Sequence, residues 1–182
     1  MKKIYFYLIG IVLFVISFFL DNLVAGFFVS NRIGFLDTIS IFINGIEGYL
    51  LFLFALVILF IFEKKKRILP LLLALVLYFG LTGLIKVIAA RPRPFTRFDF
   101  PNLGETDINR SFPSGHSTAA ASLIRFFDFN RILLWIWIAV TILIMFSRVY
   151  LGMHYLSDVI AGFVLGYFIS DLSIFIAEKL QK

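Results

Sequence analysis

PSGH, residues 113–116, lies between two other polar stretches, KVIAARPRP at residues 86–94 and SRVYLGMHYLSD at residues 147–158. Together the three stretches contain both histidines of the chain, and their basic residues stand at the ends of apolar segments. Ionisable residues are costly in a membrane unless they have a partner or a function. Residues 86–158 are therefore predicted to form an anion-binding site, and the apolar segments around them are predicted to hold that site in place.

The composition is typical of a membrane protein. Of 182 residues, 61% are hydrophobic and 15% are charged, which is more apolar surface than a water-soluble domain of this length can bury. The net charge of +6 is scattered between apolar runs, which favours anionic lipid over nucleic acid as a partner. Cysteine is absent, which excludes thiol chemistry. We expect a single domain over residues 1–182 and no obligatory protein partner.

The apolar runs predict an all-α membrane protein with six transmembrane helices. We expect these spans at Ile4–Leu20, Gly48–Phe62, Ile68–Ile85, Ser114–Phe127, Ile132–Ser147 and Tyr155–Ala177. Asp21 and Asn22 are expected to end the first span. An uncleaved helix explains that span better than a signal peptide, because no small-residue cleavage site follows it.

A short amphipathic helix is predicted between the first and second spans. Over residues 34–47, apolar side chains recur at helical spacing, and the opposite face carries Asp37, Ser40, Asn44 and Glu47. Such a pattern is typical of a helix that lies at a membrane interface. A polar loop is expected at residues 91–112, where the prolines disfavour a helix.

The basic residues predict an orientation, because six spans place both termini on one side. That side receives Lys2, Lys3, Lys64, Lys65, Lys66, Arg67, Arg131, Lys179 and Lys182. The positive-inside rule makes it cytoplasmic. The opposite side receives Arg32, Lys86, Arg91, Arg93, Arg97, Arg110 and Arg148. We therefore expect the anion-binding site to face away from the cytoplasm.

The first two polar stretches suit a phosphate group. The planar guanidinium of Arg93 matches phosphate oxygens, whereas Lys86 by itself is better explained as a side chain that snorkels to the interface. PSGH predicts a helix start with free backbone N–H groups, where Gly115 admits an anion and Ser114 adds a hydroxyl donor. His116 is placed to pass a proton to a leaving oxygen. Standing alone, PSGH also fits an ordinary capped helix start.

The third stretch predicts a nucleophile. His154 and Asp158 are four residues apart and share a face if both lie on one helix. A carboxylate that accepts the proton of one imidazole nitrogen leaves the other nitrogen free to attack, and Arg148 adds positive charge. A buried hydrogen-bonded pair is the structural alternative. A metal site built from His116, His154 and Asp158 is the chemical alternative, but the surrounding basic residues would repel a cation.

The three stretches, in this order, resemble the signature of the type 2 phosphatidic acid phosphatase family. Lys86 with Arg93-Pro94 resembles its first motif, Pro113–His116 its second, and Ser147-Arg148 with His154 and Asp158 its third. The resemblance implies a metal-independent lipid phosphatase without a cofactor, in which His154 is the nucleophile, Asp158 orients it and His116 handles the leaving group. It further implies that Lys86, Arg93, Ser114, Gly115 and Arg148 bind the phosphoryl oxygens.

The resemblance leaves the substrate open. It implies a protein of the bacterial inner membrane, with lipid A 1-phosphate, phosphatidylglycerophosphate, undecaprenyl pyrophosphate and phosphatidic acid as candidate substrates. Arg91, Arg97 and Arg110 flank the motifs and are expected to hold anionic headgroups. A lipid or anion transporter is the non-enzymatic alternative, although no internal repeat is visible. A vanadate-type haloperoxidase shares the phosphate-binding residues, but its members are soluble.

Overall fold

A computed structural model describes residues 2–46, 48–101 and 107–181 of the chain. In these ranges the regular structure is entirely helical, as expected. The seven α-helices are α1 (Lys2–Ser30), α2 (Gly34–Asn44), α3 (Gly48–Ile61), α4 (Ile68–Ala89), α5 (Gly115–Ser122), α6 (Arg131–Tyr150) and α7 (Leu156–Leu180). Single 3-10 turns lie at Lys65–Arg67, Pro94–Thr96 and Ile124–Phe126.

Several helices expose apolar side chains to their surroundings. Phe19 on α1 is 80% exposed and Val76 on α4 is 69% exposed, which is stable in lipid and costly in water. Four helical segments are long and apolar enough to cross a membrane, at residues 4–30, 65–96, 131–150 and 156–180. The α2 and α3 pair, bent by 73°, makes a fifth if it is one broken span. The protein is therefore a membrane protein, while the six-span count stays a prediction.

The first helix is longer than expected. The prediction that Asp21 and Asn22 end it is wrong, because α1 continues to Ser30. Asp21 is buried and pairs with Arg91 and Ser157. A carboxylate with such partners does not need water, so it does not terminate the helix.

The fourth predicted span is also different. α5 ends at Ser122 and is followed by a 3-10 turn, so it is too short to span a membrane as one α-helix. Ala119, Ala120 and Ala121 are fully buried. Irregular backbone at membrane depth is tolerated where protein covers it, which fits this short, enclosed segment.

Helix α5 packs tightly on α7 through two glycines. A Cβ at Gly166 would lie 2.2 Å from the Thr118 carbonyl oxygen, and one at Gly162 would lie 2.7 Å from the Ser114 carbonyl oxygen. Small residues let helix backbones approach closely in membrane proteins. This contact joins the helix that starts with PSGH to the helix that carries Asp158.

The polar face of α2 contacts the protein. Asp37 bonds Arg32 and Tyr150, Ser40 is buried, and Asn44 bonds Arg148. The apolar side chains Phe35, Ile41 and Phe42 are exposed. A helix is therefore present at Gly34–Asn44, while its amphipathic character and its place at the membrane interface stay predictions. Glu47 lies outside the described residues.

Candidate functional site

The loop after α4 carries Arg93 to the site. Helix α4 ends where Ala90 takes a left-handed conformation, φ 41°, and Pro92 follows, because proline offers no N–H and disfavours helix before it. Arg93 Nε donates to the Asp107 carbonyl at 2.7 Å, and Arg93 Nη1 donates to the Met153 carbonyl at 3.0 Å. The first and third motifs are thereby joined through main-chain acceptors.

Lys86 lies in the last turn of α4 and reaches the second motif. Its Nζ donates to the Arg110 carbonyl at 2.6 Å. A Cβ added at Gly115 would lie 3.9 Å from Lys86 Cε, so the two residues are neighbours. The lysine is thus held beside the start of α5 rather than extended along lipid.

The PSGH stretch begins α5, as expected. Ser114 is the N-cap, with its Oγ accepting from Ser117 N at 3.4 Å and from Ser117 Oγ at 2.9 Å. Its own hydroxyl proton can still donate to a ligand. Ser114 N donates to the Asp158 carbonyl at 3.0 Å, which fixes the second motif on the third.

His116 has one engaged side and one open side. Its imidazole bonds the main chain of Ile46. Its Nε2 is buried and has no hydrogen-bond partner among the described residues. Because buried polar atoms are almost always bonded, this nitrogen is the atom best placed to meet a ligand oxygen.

The main chain after α6 turns His154 toward the basic residues. Met153 N and His154 N both donate to the Arg148 carbonyl at 3.1 Å. Arg148 Nη1 donates to Asn44 Oδ1. Arg93, Arg148, His154 and Asp158 are between 0% and 5% exposed, which is rare for ionisable groups.

The two neighbours of the His154 ring define its tautomer. Nδ1 lies 2.7 Å from the Ser111 carbonyl oxygen, and Nε2 lies 3.4 Å from Arg93 Nη1. A carbonyl only accepts and an arginine only donates. Nδ1 therefore carries the proton, and Nε2 has the free lone pair that a nucleophile needs.

Asp158 lies behind this ring without bonding it directly. Its Oδ2 is 3.7 Å from His154 Nδ1 and accepts from Ser111 Oγ at 2.5 Å and from Tyr155 N at 2.8 Å. Asp158 lies in α7, which begins at Leu156, whereas His154 lies before that helix, so the two residues do not share one helix. The pair is close because Asp158 caps that helix at Tyr155 N.

Arg91 belongs to an internal network, and its contact with anionic headgroups stays a prediction. Its Nη1 donates to Asp158 Oδ1 at 2.6 Å and to Ser157 Oγ at 2.7 Å, and its Nη2 donates to Asp21 Oδ2 at 2.7 Å. Asp21 also accepts from Ser157 N at 2.9 Å. The two carboxylates take up the donors of Arg91, so it ties α1 to α7.

His154 is neutral in this setting. Burial lowers its pKa well below the ordinary value, and the positive charges of Arg93, Arg148 and Lys86 lower it further. The approach of Asp158 to Nδ1 is therefore not an ion pair in the free enzyme. A neutral imidazole beside three cations can act as a nucleophile toward a bound anion.

The remaining flanking arginines lie outside this cluster. Arg110 is exposed and faces Asp107 at 3.8 Å, while Arg97 is exposed beside Tyr155 and Asp21. Within the described ranges, no group of three or more His, Asp or Glu side chains could hold a metal ion.

Comparison with known proteins gives consistent matches. Residues 67–181 match the model of the PAP2 superfamily. Two similar proteins are named undecaprenyl-diphosphatase. The one from Sulfolobus acidocaldarius is 31% identical over 79% of this chain and 72% of its own length. The other, BcrC from Bacillus subtilis, is 30% identical over 84% of this chain and 80% of its own length. The crystal structure of Aquifex aeolicus LpxE superposes with a TM-score of 0.74 at 28% identity, over 86% of this chain and 95% of that one.

Proposed function

The chain belongs to the PAP2 superfamily, and we propose that it is a metal-independent membrane lipid phosphatase that hydrolyses a polyprenyl diphosphate through a covalent intermediate on His154. The observation that carries this proposal is the protonation state of His154 Nε2. His154 Nε2 is an unprotonated nitrogen whose lone pair faces Arg93 Nη1 at 3.4 Å. Lys86 and Arg148 supply further positive charge to the same ring.

In the first step, His154 Nε2 attacks the terminal phosphorus. The N–P bond forms while the P–O bond to the bridging oxygen breaks. Burial lowers the pKa of His116 to about 3 in the free protein, so its Nε2 takes up a proton together with the anionic substrate and gives that proton to the bridging oxygen of the departing lipid phosphate. Arg93, Arg148 and Lys86 stabilise the charge on the transferred phosphoryl group. Asp158, 3.7 Å from Nδ1, stabilises the positive charge that develops on the ring.

In the second step, water attacks the phosphohistidine. The water proton goes to His116, the N–P bond breaks, and inorganic phosphate leaves with His154 restored. The same residue thus serves as acid and then as base. Ser114 and the Gly115 N–H hold the phosphoryl oxygens at the start of α5 in both steps.

The names of the relatives support the lipid diphosphate as substrate. Both of the sequence relatives described above are named undecaprenyl-diphosphatase. The apolar outer surface of the helices supports a substrate that arrives from the bilayer. The proposed place of the reaction is the extracytoplasmic face of a bacterial inner membrane, since the sequence predicts the site arginines on the side opposite the lysine-rich segments.

A side-by-side assay tests this function. The detergent-solubilised protein would receive undecaprenyl diphosphate, phosphatidylglycerophosphate, lipid A 1-phosphate, phosphatidic acid and a soluble phosphate ester, each with a chelator present, and phosphate release would be measured. We expect the highest kcat/KM on undecaprenyl diphosphate and inhibition by vanadate. Activity on the soluble ester alone, or a requirement for added metal, would overturn the proposal.

Two matched variants sharpen the assay. Arg93→Gln removes a donor from the transferred phosphoryl group and should lower kcat by about 100-fold or more. Arg131→Gln removes an exposed arginine at the start of α6 and should keep the activity of the unmodified protein. A lipid transporter would release no phosphate in any of these reactions.

A further inference from the structure

A polar cavity of about 240 Å³ lies beside the Arg91 network. Phe18, Asp21 and Asn22 of α1 line one side, and Arg97 and Tyr155 line another. The cavity is separate from the reaction site, because its lining includes none of Lys86, Arg93, Ser114, Gly115, His116, Arg148 and His154. Arg91, which also lines it, forms the wall between the cavity and Asp158.

Tyr155 is one of the residues that line this cavity, and it carries a buried polar atom without a partner among the residues that the structure describes. The residue is 4% exposed, and its hydroxyl is buried with no hydrogen-bond partner in the described part of the chain. The ring is held in place by the Arg91 guanidinium, 4.3 Å from its centroid. Buried hydroxyls of this kind normally have a partner, so a ligand acceptor fits here.

The charges that line the cavity favour an anion. Arg91 and Asp21 pair with each other at 2.7 Å, and Ser157 also donates to Asp21, so the acceptors of that carboxylate are occupied. Arg97 is left as the uncompensated cation, since no carboxylate within residues 2–46, 48–101 and 107–181 contacts its guanidinium. Asn22 adds an amide. The cavity therefore offers mainly donors.

An apolar track continues from the polar cavity along α1. A second cavity of about 410 Å³ is lined by Phe14, Phe18, Ala89 and Phe112, so it shares Phe18 with the polar one. Phe14 and Phe112 also line a third cavity of about 330 Å³ between α1 and α7. A polar end that leads into a long apolar groove matches the shape of a phospholipid, whereas a free phosphate ion would use only the polar end.

We propose that this track binds an anionic phospholipid that is not the substrate. Its phosphate contacts Arg97, Asn22 and the Tyr155 hydroxyl, and one acyl chain lies along α1 between Phe18 and Phe112. The proposal rests on the cavities and on their charges, and it holds whether or not His154 is a phosphatase nucleophile.

Native mass spectrometry of the detergent-solubilised full chain tests the proposal. The probes are phosphatidylglycerol, phosphatidylcholine and inorganic phosphate. Phosphatidylglycerol has a phosphodiester and no terminal phosphate to hydrolyse. We expect one phosphatidylglycerol bound more tightly than phosphatidylcholine, and about threefold to tenfold weaker binding for Tyr155→Phe and for Arg97→Gln, the loss expected for one hydrogen bond. Ala89→Phe, which fills the apolar cavity, should weaken binding as well.

Three controls make the outcome decisive. Tyr5→Phe and Arg131→Gln alter exposed residues far along the chain from the cavity and should bind as the unmodified protein does. His116→Gln alters the reaction site and should also leave binding unchanged. The proposal is overturned if Tyr155→Phe and Arg97→Gln bind like the unmodified protein, or if His116→Gln weakens binding as much as they do. It is also overturned if inorganic phosphate binds with the same dependence on these variants and phosphatidylglycerol does not.

Discussion

At the scale of single residues, the neighbours of His154 determine the tautomer and the charge of its ring. The Ser111 carbonyl accepts a hydrogen bond from Nδ1–H, and the Ser111 hydroxyl donates to Asp158 at 2.5 Å. Asp158 thus acts on the ring through Ser111 and through its own charge, rather than through a direct bond. Asp158 also caps α7 by accepting from Tyr155 N.

The buried neutral state of His154 predicts a pH effect on stability. The unfolded chain binds a proton at this histidine below about pH 6.5, while the folded chain does not because burial lowers the pKa of His154. The contribution of neutral His154 to the free energy of unfolding is therefore fully present above about pH 6.5. It decreases as the pH falls, by at most about 1.4 kcal/mol per pH unit. Thermal unfolding in detergent between pH 5 and 8 measures it.

The comparison for that experiment is His154→Gln. Glutamine does not titrate, so the variant should lose part of the decline in Tm below about pH 6.5. Equal pH dependence of Tm in the two proteins would mean that His154 is protonated in the folded state, contrary to the geometry at Nε2.

Asp21, which lies within the apolar helix α1, is expected to stabilise the folded protein. Asp21→Asn removes the charge that Arg91 Nη2 faces at 2.7 Å while Asp158 still holds Nη1. We expect a loss of about 1–3 kcal/mol in the free energy of unfolding and a lower kcat, since Arg91 also contacts Asp158. Asp99→Asn, at an exposed aspartate, is the matched control. If both variants unfold at the same temperature, the network does not stabilise the protein.

The motif residues can be predicted from the sequence, whereas the residues that hold them in place, such as Asp21, cannot. Spacing and residue type predict roles for His116, His154 and Asp158 in one site. Asp21 comes from a segment 137 positions before Asp158 in the numbering, and only folding brings the two to the same arginine. Asp21 had one local signal, a charge within an apolar run, which was interpreted as the end of a helix.

At the scale of helices, the α5 and α7 contact carries the geometry of the site. A Cβ at Gly166 would lie 2.2 Å from the Thr118 carbonyl oxygen and 2.8 Å from Ser122 N. These are main-chain atoms, so the helices must separate. We expect Gly166→Ala to cost about 1–3 kcal/mol in unfolding free energy and to lower kcat, because Ser114 and Asp158 move apart.

Gly80→Ala is the control for this substitution. A Cβ there meets nothing within 4 Å, and alanine is favoured over glycine within a helix by about 1 kcal/mol. The Tm of Gly80→Ala should therefore stay the same or rise. A Tm for Gly166→Ala equal to that of Gly80→Ala would contradict the tight contact.

Helix type was predictable, but some helix ends were not. Hydrophobic runs locate most of the helices, because lipid demands an unbroken apolar surface. Helix α5 follows a different rule, since it is enclosed by other helices and can be short and rich in serine and alanine. The sequence also predicts a helix within residues 34–47, but it does not say that Asn44 reaches Arg148.

At the scale of the whole molecule, the site and the lysine-rich segments are predicted to lie on opposite sides of the membrane. The chain has no cysteine, so single cysteines can report the side. We expect Ile108→Cys, beside the site loop, to react with a membrane-impermeant maleimide in intact cells. Lys179→Cys, near the end of α7, should react after permeabilisation. The reverse pattern would invert the orientation.

The most direct test of the account is to trap the phosphoenzyme. The protein would be mixed with undecaprenyl diphosphate labelled in its terminal phosphate and quenched in alkali, in which phosphohistidine survives. The account predicts label on His154, with faster loss in acid than in alkali, and none in His154→Gln. Release of phosphate without any label on the protein, or label on a residue other than His154, would contradict it.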